Sequence, residues 1–341
     1  MERLEETIVG KALEYGYESC GVIGVDEMAG FAEKLRERIK KAPGNEETYE
    51  RFFRFATLSE DYPWAKSIVV CIVKYGIYRL PGHLEGLIGK HYLTDVRSNE
   101  GCKEYKASAN FETYLQSLGL RVETNRMFGI TSMRWAAHKA GLGIIRRNNF
   151  FYTGSGSWVH IEGFLTDRVM ELKQTPALEP CPPDCSLCIS ACPTKSLSEP
   201  YTMSPATCIS PLTVRGGELI ENPNCRQMGK WIYGCDACQD ACPHNAGKWR
   251  QAEDFPELEA LGEALSLEKI IEMDYETLAD LLSSRYFYIS RDRIWQWKLN
   301  ALNAMRNAYD EKYTDSIKAA QNDTNEYVRR MAALIIEEAS I

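Results

Sequence analysis

An α+β fold in three parts is what the sequence predicts, and three observations predict it. Two apolar runs, GVIGV at 21–25 and SIVVCIVKYG at 67–76, read as buried strands set among helix-patterned segments. A stretch rich in Pro and Cys, without periodicity, runs from 175 to 248, and beyond 255 apolar residues recur at helical spacing. The chain has 341 residues, 44% hydrophobic and 26% charged, enough for a substantial core in roughly two or three domains. A net charge of −8 argues against a surface-wide nucleic-acid footprint and leaves a local basic face open.

Leu4, Ile8, Val9, Ala12 and Leu13 give the first helix its stripe, and the two buried strands follow. FETYLQSLGL at 111–120 and SMRWAAHKAGLG at 132–143 read as helices, the second stopped by Gly141 and Gly143. A strand pair is expected in IIRRNNFFY and WVHIEGFL, with Gly-Ser-Gly-Ser at 154–157 as the turn between them. In the last part Trp295, Leu299, Leu302 and Met305 form one stripe, then Tyr313, Ile317 and Ala320, then Tyr327, Met331, Leu334 and Ile335. The expected divisions are 1–172, 173–250 and 251–341. Glu2, Glu5 and Glu6 stand where a signal peptide needs basic residues, and no apolar run approaches the roughly 20 residues that cross a bilayer, so a cytoplasmic chain without a membrane partner is expected.

Nine of the twelve cysteines fall between Cys181 and Cys242. Two runs, CPPDCSLCISACP at 181–193 and CDACQDACP at 235–243, each end in C-x2-C-x3-C-P, the bacterial ferredoxin signature. Closely spaced thiolates cap the irons of one cube, while the last cysteine, followed by proline, reaches the other. Cys181, Cys185, Cys188 and Cys242 are thus expected to hold one [4Fe–4S] cluster, and Cys192, Cys208, Cys235 and Cys238 the second. The first run has three residues between Cys181 and Cys185 instead of two, and Cys225 is the substitute if one assignment fails. A pair of structural zinc sites is the alternative that C-x2-C knuckles leave open. Cys20, Cys71 and Cys102 read as core or surface thiols.

The segments AAHKAGLGIIRRN (136–148), GSWVHIEGFLTD (156–167), CPTKSL (192–197), CISPLT (208–213) and IYGCDACQDACPHN (232–245), in that order, resemble the cobalamin-dependent epoxyqueuosine reductase family, with reductive dehalogenases as more distant relatives. The resemblance implies a nitroreductase-like α/β domain that binds a base-off cobalamin, a two-cluster ferredoxin-like domain and C-terminal HEAT-like helices. It further implies a low-potential electron donor of ferredoxin or flavodoxin type, and a two-electron reduction carried by a corrinoid fed from the clusters. Gly141, Leu142, Gly143, Arg147, Asn148, Gly156, Ser157 and Trp158, with Arg134, become the candidate corrinoid neighbours. Glycines would let a macrocycle approach the backbone, and Arg and Asn would serve its amide and phosphate periphery.

One departure stands out. The family's catalytic aspartate falls on Met127 of NRMFGITSMR, and a methionine donates no proton. Tyr92, Asp95, Tyr152, His160 and Glu162 are possible replacements, with Tyr92 and His160 the candidate catalytic residues. The substrate implied by the resemblance is a tRNA nucleoside epoxide, and Arg285, Arg291, Arg293 and Lys298 form a basic segment for tRNA phosphates. The alternatives are a corrinoid-dependent reductase of another small molecule, or a protein that transfers electrons without turnover.

Overall fold

The computed structural model describes residues 3–341. Helix α1 (Leu4–Glu14) leads into strand β1 (Ser19–Gly24), helix α2 (Phe31–Lys41) and strand β2 (Ser67–Lys74). Helix α3 (Lys103–Ser117) is started by the Cys102 thiol, which accepts from the Tyr105 amide at 3.4 Å. Strand β3 (Val122–Thr124), helix α4 (Met133–Lys139), strands β4 (Ile144–Ile145) and β5 (Phe151–Tyr152), and the long β6 (Val159–Thr166) complete this part.

The sheet is antiparallel in the order β1-β2-β6-β3. β2 lies inside it, and its β-branched run is buried on both faces, as a central strand requires. Alternation does the sorting: Val69, Cys71 and Val73 face Ile8 and Phe111, while Ile68, Val70 and Ile72 face Ala136, Ala137 and Ala140 of α4. Each such aliphatic side chain contributes about 1.5–3 kcal/mol. Cys20 and Cys71 are cross-strand partners with sulfurs 3.4 Å apart, fully inside.

The expected strand pair across 154–157 is corrected by the structure. IIRRNNFFY is itself a hairpin, β4 against β5, turning at residues 146–149, while β6 joins the main sheet instead. Asn149 takes the left-handed conformation (φ 66°) that closes the turn, a geometry asparagine tolerates.

From 175 the chain leaves the sheet, and up to 250 its helical pieces are single turns at 187–190, 209–212 and 237–240 and short 3-10 turns. A small apolar group here consists of Cys188, Cys192 and Leu197, with Ile189, Met203 and Cys238 packed against it. Beyond lie α5 (Leu267–Glu272), α6 (Tyr275–Leu282), α7 (Trp295–Asn307), α8 (Thr314–Ala320) and α9 (Glu326–Ala339). Ser266, Asp274 and Asn325 cap α5, α6 and α9 through their side chains. Leu299, Leu302 and Met305 are fully buried, as the stripe demands. The opposite side of α7 is polar yet equally buried. Gln296 and Asn300 donate to the Thr213 carbonyl, Asn300 also to that of Ile232, and Asn303 and Asn307 to that of Cys225. This amide ladder fastens the loops that carry Cys208 and Cys235 to the helical end. One apolar core runs from Ile8 through the sheet to Ile335.

Candidate active site

The cysteines of the middle segment fall into two groups. Burial raises the Cys188 thiol, and the thiols that add to it are Cys242, Cys185 and Cys181. Burial likewise pushes up Cys238, with Cys235, Cys208 and Cys192 as its leading thiol neighbours. The last cysteine of each run thus lies near thiols of the other run. Among the described residues no three His, Cys, Asp or Glu side chains converge tightly enough to hold a single metal ion.

The second group opens onto a cavity of about 730 Å³ between the sheet end, the cluster segment and Tyr288. Tyr75, His91, Tyr92 and His160 line one wall, and Met127, Phe128 and Met133 another. Burial lowers His91 to about 4 and His160 to about 3, so both rings are neutral at pH 7. His160 Nε2 is buried and has no partner. Burial raises the Tyr92 phenol to about 12, and its oxygen lies 3.3 Å from Ser210 Oγ. Asp95 is corrected as a proton donor. Burial opposes its charge, but His91 and the Arg97 fork, which reaches its carboxylate at 2.8 and 2.6 Å, hold it at about 2. Arg97 also donates to the Met127 carbonyl at 2.6 Å, fixing the 125–131 loop. Phe128, 63% exposed, meets Phe287 and Tyr288 edge-on at the rim.

A second lobe of about 460 Å³ lies between α2, α4 and residues 178–181, and Arg134 lines both lobes. Burial lowers Arg134 to about 10, and the neighbouring Arg38 pushes the same way. Arg38 is lowered by burial too. Both guanidiniums are held by Asn149, through its backbone carbonyl for Arg134 and its side-chain oxygen for Arg38 at 3.3 Å. No carboxylate pairs with either among the described residues. Arg134 is open to the cavities and Arg38 is half-buried, and an anion between these two like charges would relieve their repulsion.

Of the residues expected around a corrinoid, Arg134, Asn148 and Ser157 line the large cavity. The others lie outside that lining. A Cβ on Gly141 (φ 72°) would stand 1.8 Å from the Gln174 carbonyl oxygen, and one on Gly143 2.2 Å from that of Tyr152, so backbone packing, not a macrocycle, demands these glycines. Leu142 packs in the core beneath the sheet. Gly156 turns against Asn245, Trp158 packs edge-on to Trp249 at 5.3 Å, and Arg147 donates to the carbonyls of Pro182 and Pro183. Glu162, on the same strand face as His160 but outside the cavity lining, accepts from Tyr17 at 2.6 Å, and Tyr152 is bound by Asn148 at 2.9 Å beside Cys242. Tyr75, His91, Arg97 and Arg38 went unnoticed in the sequence.

The basic segment expected to meet tRNA is internally satisfied. Arg285 donates to Pro256, Arg291 pairs with Asp280, Arg293 donates to Val214, and Lys298 pairs with Asp323. No helix among the described residues is long and apolar enough to cross a membrane.

Residues 181–245 match the model of the 4Fe-4S double cluster binding domain. An epoxyqueuosine reductase of Staphylococcus aureus is 28% identical over 264 residues, 74% of this chain and 68% of that protein. A crystal structure of selenomethionine-labelled epoxyqueuosine reductase superposes with a TM-score of 0.78 at 22% identity, covering 98% of this chain and 89% of that one. The chain is thus similar to epoxyqueuosine reductases over most of its length and shares their fold. It has an α+β fold, a double-cluster segment and C-terminal helices. The Synechococcus sp. (strain CC9605) member is 33% identical over 171 residues, 49% of this chain, and the match spans about half, 52%, of its length. A family structure holding an epoxyqueuosine-modified tRNA-Tyr stem loop aligns over 99% of both chains at 21% identity, with a TM-score of 0.75.

Proposed function

We propose that this chain is a cobalamin-dependent iron–sulfur reductase that delivers two electrons, one at a time, to a substrate in the large cavity. One observation carries the reading. Cys192, Cys208, Cys235 and Cys238 line the large cavity, and Arg134 lines both it and the smaller one, beside the Arg38 guanidinium, which pairs with no carboxylate among the described residues. The donor set fits a base-off corrinoid: a wide, mostly apolar chamber for a macrocycle, an unpartnered imidazole nitrogen on its wall, and a cationic passage to a smaller lobe walled by Phe31, Trp135 and Ile144 for a phosphate-linked tail. When bound there, the corrinoid supplies the reductive bond-breaking chemistry.

The residues of the chain do the rest. Cys181, Cys185, Cys188 and Cys242 hold the outer cluster, which takes electrons from a low-potential donor of ferredoxin or flavodoxin type. Cys192, Cys208, Cys235 and Cys238 hold the inner one, which passes them on. The match of residues 181–245 to a 4Fe-4S double cluster binding domain supports the cubes over a pair of zinc sites. Arg134 and Arg38 bind the anionic group, and Asn148 anchors the cavity wall to the Cys238 carbonyl at 3.1 Å. Tyr92 keeps its proton at neutral pH and donates it to the substrate, and the neutral His160 orients the acceptor. For an epoxide, two electrons and two protons leave an alkene and water.

Met127 supports a second reading, in which the substrate is a small molecule other than the tRNA nucleoside. The methionine removes the carboxylic acid, and the basic residues of the helical end are already paired. Incubating the anaerobically reconstituted protein with an epoxyqueuosine-containing tRNA stem loop separates the two. Conversion to queuosine supports the tRNA substrate. Full cluster and corrinoid content without conversion supports the small molecule.

A further inference from the structure

The hairpin turn between β4 and β5 brings an arginine to the outer cysteine group that neither the cavity nor the electron path described above uses. Arg146 is 3% exposed. Its guanidinium donates to Cys181 Sγ at 3.6 Å and lies 5.2 Å from the centre of the Tyr152 ring. Among the described residues no carboxylate lies within ion-pair distance of it, and its Nε is buried without a partner. The backbone of the same residue is fixed by an amide bond to the Phe150 carbonyl at 3.0 Å, so the side chain leaves a rigid turn. A buried cation of this kind needs a negative neighbour, and the only negative groups this surrounding offers are thiolates.

We infer that Arg146 is a positioning residue that sets the reduction potential of the outer cluster by acting as its counter-charge, an inference that rests on the ligand assignment above. When a [4Fe–4S] cluster takes up one electron, its net negative charge rises by one. A fixed cation hydrogen-bonded to a ligand sulfur stabilises the reduced form more than the oxidised one, and so raises the potential. In the inner cysteine group no arginine donates to a ligand sulfur among the described residues: Arg215, the cation near Cys208, donates to the Ala206 and Pro205 carbonyls. The group's contacts from the same hairpin and the strand after it are neutral: Asn148 to the Cys238 carbonyl at 3.1 Å and Ser157 Oγ to Gln239 at 2.8 Å. The asymmetry makes the outer cluster the easier one to reduce from outside, at the face where Leu187 is exposed and Cys185 is half-buried.

The experiment is a potentiometric titration followed by EPR on the full-length, anaerobically reconstituted protein, comparing wild type with Arg146→Gln and Arg146→Lys, and with Cys181→Ser to identify the outer signal. The expected result is that Arg146→Gln keeps its iron while the outer signal moves to lower potential and the inner one shifts less, and that Arg146→Lys stays near wild type. Loss of the outer cluster in Arg146→Gln but not in Arg146→Lys also supports the counter-charge. An unmoved outer potential in Arg146→Gln overturns the inference, as does an equal shift or an equal loss of iron in both variants, which would make the residue a packing group. If Cys181→Ser leaves both signals untouched, the ligand assignment has failed instead.

Discussion

The two cysteine groups share a motif but not a setting. The outer group borders a shallow hollow with Arg146, Arg147 and His244 around it, and its Leu187 points to solvent. The inner group borders the large cavity, beside two neutral histidines and a tyrosine that keeps its proton. At the outer end an arginine donates directly to a ligand sulfur, whereas at the inner end the arginines, Arg97 and Arg134, line the cavity and donate to backbone carbonyls. The difference gives the electron path a direction, from the rim inward, and places proton delivery only at its inner end.

The largest expected effect separates the groups outright. Cys208→Ala should lose about four irons and lower turnover by at least about 100-fold with any reductant. Cys185→Ala should lose turnover with a protein donor and regain it with a small chemical reductant that enters the cavity. Iron analysis beside activity with both reductants checks this, and equal rescue of the two variants would erase the distinction. Next comes the proton. Tyr92→Phe should slow turnover by about 10²-fold or more while leaving clusters and corrinoid content intact, as stopped-flow reduction and metal analysis would report.

Smaller effects sharpen the picture of the cavity. Arg38→Leu removes one of two cations without a carboxylate partner and should weaken corrinoid binding by about tenfold or more, since a charge-assisted hydrogen bond contributes about 1.5–3 kcal/mol. The same variant without corrinoid should melt no lower than wild type, because the repulsion with Arg134 goes too. The smallest is a pH effect. His91 and His160 have folded-state values near 4 and 3, below the ordinary 6.5, so the unfolded chain binds more protons. Their neutral burial is fully tolerated above pH 6.5, and stability falls as pH drops from there toward 4. His160→Gln should therefore narrow the stability gap between pH 7 and pH 5 by about 1–2 kcal/mol, measured by denaturant unfolding at the two pH values.

The double-cluster segment was readable because its Cys-Pro endings carry a fixed spacing, and the stripes of α7 to α9 were readable because burial imposes a period. The cavity above the inner group was readable only in part. Tyr92, Asp95 and His160 were singled out, but Tyr75, His91 and Arg97 join them from a strand end, a single helical turn and a loop that carry no shared pattern. The glycines at 141 and 143 were noticed for the right reason, a backbone that approaches closely, but the approaching atoms are the Gln174 and Tyr152 carbonyls. The hairpin at 144–152 was hidden because its turn residues, Arg-Arg-Asn-Asn, resemble a polar face more than a turn, although Asn149 carried the signal for a left-handed position.

The measurement closest to the centre of this account is anaerobic reconstitution with iron, sulfide and cobalamin, followed by metal analysis and EPR during stepwise reduction. About eight irons per chain, a base-off cobalt signal, and cobalt reduction that is lost in Cys208→Ala are the predicted result. Two clusters with no cobalamin retained, or cobalt reduction that survives the loss of Cys208, would contradict it.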